Sequence, residues 1–191
     1  MDIWNITEIV ASVGCAIYVV LQAKQKSIMW YINLVSSSAA LALYLHSNLW
    51  GSAAINMYYI AMAFVGIYQW GKDSKKVEHG TIHIKKISGR IAAISAAIAV
   101  FGGGLIYLIL LKTGDASPVL DALVFTMSII GTWWLTRSHV EQWLIWLVAD
   151  SIGVALNLTQ GLYLMAALYA FCNCTAFYGL YNWKKNGKYI D

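Results

Sequence analysis

Displaced by 113 positions, this chain of 191 residues aligns with itself without a gap. Trp30 falls on Trp143, Leu34 on Leu147, Val35 on Val148 and Ser38 on Ser151. Further along, Leu49 meets Leu162, and Ala53 and Ala54 meet Ala166 and Ala167. Phe64, Gly66, Tyr68 and Trp70 then meet Phe177, Gly179, Tyr181 and Trp183. Between positions 30 and 72, 17 of 43 pairs are identical. Apolar helices share composition by default, but not an ordered register of Trp, Gly and Tyr. A sequence written twice must fold into two similar units. In a membrane chain such units flank a solute path.

Composition identifies the solvent. Hydrophobic residues make up 60% and charged residues 12%, against roughly 25% charge in an average soluble domain. Apolar runs of about 20 residues match the length a helix needs to cross a bilayer. Seven are predicted, at 5–23, 28–46, 51–71, 89–111, 118–136, 142–160 and 164–183. The short gaps after the second and sixth make tight helical hairpins. The first span lacks a basic leader and shares in the duplication, so it is expected to be retained.

Orientation follows from Lys and Arg. With the N-terminus outside, the cytoplasmic segments carry Lys24, Lys26, Lys72, Lys75, Lys76, Lys85, Lys86, Arg90, Arg137, Lys184, Lys185 and Lys188. That is 12 of the 13 basic residues, leaving Lys112 outside. The pI near 8.9 then reflects a basic rim facing lipid and cytoplasm, and no nucleic-acid partner is expected. Trp4, Trp50, Trp70, Trp133, Trp134 and Trp183 lie near span ends, as interfacial belts do.

An odd number of spans gives both triplets one orientation. The expected fold class is an all-α integral membrane protein with seven transmembrane helices in a 3+1+3 parallel repeat. A first bundle at 5–71 and a second at 118–183 are joined by a linking helix at 89–111, an arrangement similar to that of SWEET carriers. Gly102, Gly103 and Gly104 either kink that linking helix or let it pack closely. Cys15, Cys172 and Cys174 lie inside spans and read as packing residues, with no metal or cofactor expected. No P-loop, zinc pattern or nucleophile elbow is present, so neither ATP hydrolysis nor another enzymatic activity is expected.

Polar residues at mid-bilayer depth carry the functional signal, because hydrocarbon penalises them. Asp150 sits near the centre of the sixth span, where a carboxylate costs roughly 2.5–3.5 kcal/mol. Trp143, Trp146, Asp150 and Asn157 lie within about 60° of one helix face. The corresponding stripe in the second span is Trp30, Asn33, Ser37 and Tyr44. Tyr169 and Asn173 add polar groups from the seventh span, and Asn56 and Tyr59 add theirs from the third. Helix-to-helix hydrogen bonding is the competing role for these amides. Gln22, Gln69, Thr126 and Ser128 are weaker candidates. His46, His79, His83 and His139 fall in connections or at span ends, with no chemical role expected. Indole faces stack on flat rings and attract cations, a carboxylate balances positive charge, and Asn and Tyr read polar substituents. The expected cargo is a flat cationic heterocycle with a hydroxylated tail.

The run Trp143-Leu-Ile-Trp146-Leu-Val-Ala-Asp150, the Gly161-Leu-Tyr163 turn, Tyr169 and Gly179-Leu-Tyr181-Asn-Trp183 resemble the Pnu family of bacterial vitamin transporters over nearly the whole chain. The resemblance implies facilitated diffusion of an unphosphorylated vitamin precursor across the bacterial inner membrane, intracellular phosphorylation as the trap, and a homo-oligomer, a trimer. In the nicotinamide riboside branch the pattern ends in Asn where this chain has Asp150. A carboxylate suits an aminopyrimidine beside a thiazolium charge, so thiamine is favoured over nicotinamide riboside. Substrate-binding roles are expected for Trp143, Trp146, Asp150, Tyr169, Asn173, Asn33, Ser37, Asn56, Tyr59 and Asn157. A SWEET-like sugar carrier and a vitamin receptor that does not transport remain open as alternatives.

Overall fold

The computed structural model describes residues 3–78, 81–113, 117–159, 161 and 163–190; His79 and parts of two helix connections lie outside them. Seven long helical segments follow in order: α1 (Ile3–Ala23), α2 (Met29–His46), α3 (Trp50–Asp73), α4 (Gly89–Thr113), α5 (Pro118–Thr136), α6 (Gln142–Thr159) and α7 (Tyr163–Asn186). Pro118 opens α5 at a position where a missing N–H costs nothing. Ser88 caps α4 by accepting from the Ile91 amide at 3.3 Å. A π-turn at Ile98–Gly102 interrupts α4 just before its second half, so the glycine run coincides with a real irregularity in the linking helix.

Six of these helices are long and apolar enough to cross a membrane. The 18-residue α2 falls outside that group, and its sequence gives the reason: Asn33, Ser36, Ser37 and Ser38 occupy its middle. Outward faces are apolar, from Ile3, Ile9 and Val13 on α1 to Val100, Phe101 and Leu105 on α4. These faces need lipid, since water would leave them uncompensated. The chain is a helical membrane protein.

Packing follows the duplication. Helix α2 packs on both α1 and α3, as α6 packs on both α5 and α7. The two groups meet through α1 with α7 and α3 with α5, while α4 leans on α5. The backbone repeats as well. Four described residues have positive φ: Gln25 (47°), Asn48 (57°), Ser138 (57°) and Gly161 (73°). They form two pairs 113 positions apart, one at each helix-to-helix turn.

Tryptophans hold the basic end together. The Trp30 indole lies where a side chain on Gly66 would otherwise be, and the Trp143 indole lies likewise over Gly179. Trp70 meets Trp30 edge-on at 5.3 Å, Trp183 meets Trp143 edge-on at 5.5 Å, and Trp70 and Trp183 approach each other at 6.0 Å. All four are buried. The belt expectation for Trp70 and Trp183 is therefore corrected. Each indole N–H donates to a carbonyl inside the protein, Leu135 at 3.1 Å and Ala23 at 3.2 Å, so lipid headgroups are not its partners. Trp50 does reach outward, at 66% exposure.

Two short strands depart from the all-helical expectation. β1 (Ile82–Ile84) and β2 (Gly187–Tyr189) pair in parallel across the basic end. Unpaired backbone is expensive near lipid, and this pairing satisfies it on both segments. Gln25 reinforces the joint, accepting from the His83 amide at 2.7 Å and donating to the His83 carbonyl at 2.8 Å. Beneath it Asp73 is buried and pairs with Lys85 and Lys76. Two histidines with no expected role prove to be structural here. The His139 ring bonds the Lys85 carbonyl through Nδ1 at 2.9 Å, and His83 packs edge-on against Trp70.

Two predictions follow from this end of the molecule. Gly66→Ala and Gly179→Ala should each destabilise the detergent-solubilised protein by about 1–3 kcal/mol through overpacking. Gly51→Ala, in open space, should be neutral; unequal losses at Gly66 and Gly179 would separate the two units. The second prediction concerns pH. Burial, opposed by Asp73 and assisted by Lys85, lowers the His83 pKa from an ordinary 6.5 to about 4. The unfolded chain then binds the extra proton first, so stability present above about pH 6.5 is lost as pH falls toward 4. Melting temperature by tryptophan fluorescence should drop between pH 7 and 5, and less in His83→Gln.

Candidate functional site

Asp150 lies midway along α6 and is 8% exposed, turned into the protein and away from lipid. Among the described residues it has no hydrogen bond or ion pair. Near it stand thiol and phenol groups of two other helices, α1 and α7. Cys15 of α1 and Tyr169 and Cys172 of α7 lie within electrostatic reach of the carboxyl. Tyr18 of α1, Tyr44 of α2 and Tyr59 of α3 lie within reach of Cys15 or Tyr169. The groups linked in this way belong to both helix groups.

One glycine makes this arrangement possible. A Cβ at Gly153 would sit 2.6 Å from the Tyr169 ring, so only glycine lets that ring lie against α6 within reach of Asp150. Gly131 of α5 seats Trp146 in a similar way, with the indole 3.2 Å from where a Cβ would stand. Trp146 is half-buried, and its N–H is buried with no partner. Facing it in the repeat is Asn33, 8% exposed, whose Oδ1 is also buried without a partner. Ser37, the repeat counterpart of Asp150, is buried too.

The remaining predicted residues divide. Asn56 and Asn157 each donate to their own helix, to the Ser52 carbonyl and the Gly153 carbonyl, both at 2.8 Å. Asn173 donates to the Leu147 carbonyl and to Ser151 Oγ, both at 2.9 Å, tying α7 to α6. Both of its N–H groups are spent there. Trp143 stands seven residues before Asp150, about 10 Å along the helix axis. It is enclosed by Gly179 and Trp183 and offers no open ring face. The structure thus gathers Asp150, Tyr169 and Tyr59, brings Trp146, Asn33 and Ser37 inside the protein, and puts Trp143 in the basic-end cluster. Cys15 and Tyr18 were missed. Their signal was a spacing of three on one face of α1, hidden by an otherwise apolar helix.

Lipid-facing helices around a buried carboxyl, with Tyr169, Cys15 and Cys172 near it, define a class: a multi-pass helical membrane protein with a polar interior. The comparisons narrow it. The sequence profile of the nicotinamide mononucleotide transporter family matches residues 5–185. The riboflavin/roseoflavin transporter RibM of Streptomyces davaonensis is 25% identical over 156 residues, covering 81% of this chain and 73% of that protein. The nicotinamide riboside transporter PnuC of Neisseria mucosa is 26% identical over 189 residues, covering 92% and 71%. A crystal structure of the vitamin B3 transporter PnuC superposes with a TM-score of 0.73 at 24% identity, covering 92% of this chain and 79% of that one. The chain belongs to the nicotinamide mononucleotide transporter family and is a Pnu-type vitamin transporter, not an enzyme.

The two roles open to Asn173 give different outcomes. Asn173→Leu should lower stability by about 1 kcal/mol, a usual value for an interhelical bond in a membrane protein, and leave ligand affinity within a factor of about two. A large affinity loss at unchanged melting temperature would make it a binding group.

Proposed function

We propose that this protein carries a cationic, ring-bearing vitamin precursor of the nicotinamide riboside type across the bacterial inner membrane by facilitated diffusion. The observation that carries the reading is Asp150, a buried carboxyl with Tyr169, Cys15 and Cys172 near it. Leaving such a group in hydrocarbon is costly unless a ligand uses it. A pyridinium ring supplies the charge, its carboxamide supplies N–H donors, and its ribose supplies hydroxyls for the tyrosines. Trp146 offers the stacking face. Asn33, Ser37, Asn56 and Asn157 contribute acceptors along the path. Asn173 ties α7 to α6 beside this path, and Trp143 closes the inner end.

In this reading α1–α3 and α5–α7 are two parallel triplets joined by α4, all seven helices cross the bilayer, and cargo sits between the triplets. The repeat supports it in a particular way. Five pairs of candidates and counterparts lie 113 residues apart on the two triplets: Asn33 and Trp146, Ser37 and Asp150, Tyr44 and Asn157, Asn56 and Tyr169, Tyr59 and Cys172. All five pairs differ in residue type, whereas Trp30 and Trp143, Gly66 and Gly179, and Trp70 and Trp183 are identical. An asymmetric cargo needs an asymmetric cage on a symmetric frame. The basic end, with 12 of 13 Lys and Arg, faces the cytoplasm, so the N-terminus is outside.

The matched relatives named above move nicotinamide riboside or flavins, which moves the preference from thiamine to nicotinamide riboside. Thiamine stands as the second reading because Asp150 suits an aminopyrimidine. The discriminating experiment is uptake into proteoliposomes containing only this protein, with calorimetry on Asp150→Asn. Nicotinamide riboside binding should weaken about tenfold, near 1.4 kcal/mol, while neutral riboflavin changes little. A loss confined to thiamine would establish the second reading, and absence of uptake for all three would overturn the proposal.

A further inference from the structure

The bonds that join the two triplets are unevenly distributed along the membrane normal. Among the described residues, side-chain hydrogen bonds cross between α1–α3 and α5–α7 at two depths. Four are at the basic end: Trp70 Nε1 to the Leu135 carbonyl, Trp183 Nε1 and Asn182 Nδ2 to the Ala23 carbonyl, and Gln22 Nε2 to Gln142 Oε1 at 3.2 Å. Nearer mid-depth, Tyr58 bonds the Ile129 carbonyl and Tyr59 bonds Ser128. At the opposite end the ring stack of Trp4 on His46 stays within the first triplet.

We infer that the four-tryptophan bracket is the inner gate of the carrier, shut in this structure, and that it must part each time cargo leaves. The reasoning is geometric and rests on the transport reading above. Trp70 belongs to the last helix of the first triplet and bonds the end of the first helix of the second. Trp183, its repeat counterpart, bonds the end of the first helix of the first triplet. Each triplet thus grips the other with the same hook. Rocking one triplet against the other breaks both hooks together.

The bracket is also built to reopen. The indole N–H groups of Trp30 and Trp143, the Nε2 of Gln142 and the Oγ of Ser138 are buried around it with no partner. Closure leaves these groups unmet, and water entering a parted gate satisfies them. The bracket sits inward of Asp150 by about two helical turns, so in the shut state it blocks passage to the basic side.

The inference is tested with Gln22→Cys/Gln142→Cys, joined across the gate by the short thiol cross-linker dibromobimane, the bond being located by mass spectrometry. Uptake of nicotinamide riboside and riboflavin into proteoliposomes is then compared with the same variant left unlinked. Linked protein should lose uptake while still binding ligand; unchanged uptake after linking would overturn the inference. A second arm needs neither cross-link nor cargo. In Trp70→Phe and Trp183→Phe, which keep an aromatic group but remove the N–H, labelling of Gln142→Cys by an impermeant maleimide from the basic side should rise about fivefold per bond lost. Labelling that stays at the parental rate in both would overturn the gate even if linking proved inefficient. Absence of uptake in the unmodified protein would count against the transport reading alone, because the labelling arm still reports on the gate.

Discussion

The fold depends on four indoles finding room at one end of a helix bundle. Inside a bilayer, burying apolar surface gives helices little reason to associate, since lipid tails are equally apolar. Association must come from close contact and internal hydrogen bonds. Gly66 and Gly179 supply the contact by letting Trp30 and Trp143 lie directly on the neighbouring backbone. Trp70 and Trp183 supply the bonds by reaching carbonyls that end the opposite triplet. Large rings against glycine give dense dispersion contact, and the N–H groups fix which way the rings point. Other inter-triplet contacts are sparser, which leaves the polar interior free to vary.

That division explains why the same helices can be rigid and selective at once. At the basic end Trp30, Gly66 and Trp70 recur as Trp143, Gly179 and Trp183. One or two turns deeper the counterparts differ at every candidate position. A carboxyl faces the space where its counterpart is a serine, and a tyrosine is held flat by Gly153 where its counterpart is an asparagine. Substitutions in the cage can change what is bound without disturbing the bracket. They are constrained mainly by polarity, because each added polar group must be satisfied by cargo, by another helix or by its own backbone.

Much of this architecture was legible in the chain. Helix positions follow from apolar runs whose lengths match a bilayer, and expected and observed ends differ by three residues or fewer. The duplication implied paired turns, seen in Gln25 with Ser138 and Asn48 with Gly161. Asp150 stood out because a mid-span carboxyl has few innocent explanations. What the sequence hid is equally physical. Depth along a helix can be read from residue number, but partners across helices cannot. Trp70 and Trp183 therefore looked like interfacial belts, and the bonds from Asn173 to Leu147 and Ser151 could not be read from residue number. The strand pair escaped notice because three-residue strands carry too little pattern to rise above a loop.

In the proposed cycle of facilitated diffusion the carrier must alternate between states of nearly equal free energy, or cargo would be stranded in the more stable one. The basic-end bracket meets that requirement by mixing satisfied and unsatisfied groups. Its four cross-triplet hydrogen bonds favour closure, while the unmet N–H groups of Trp30 and Trp143 favour hydration. Asp150 adds the second half of the balance. A buried carboxyl is costly when alone and much less so beside a cation, so cargo arrival changes the free energy of the closed cage by the amount that desolvation had cost. Binding energy can then be spent on occluding the cargo rather than on holding it tightly, and release follows once the gate lets water reach the same carboxyl.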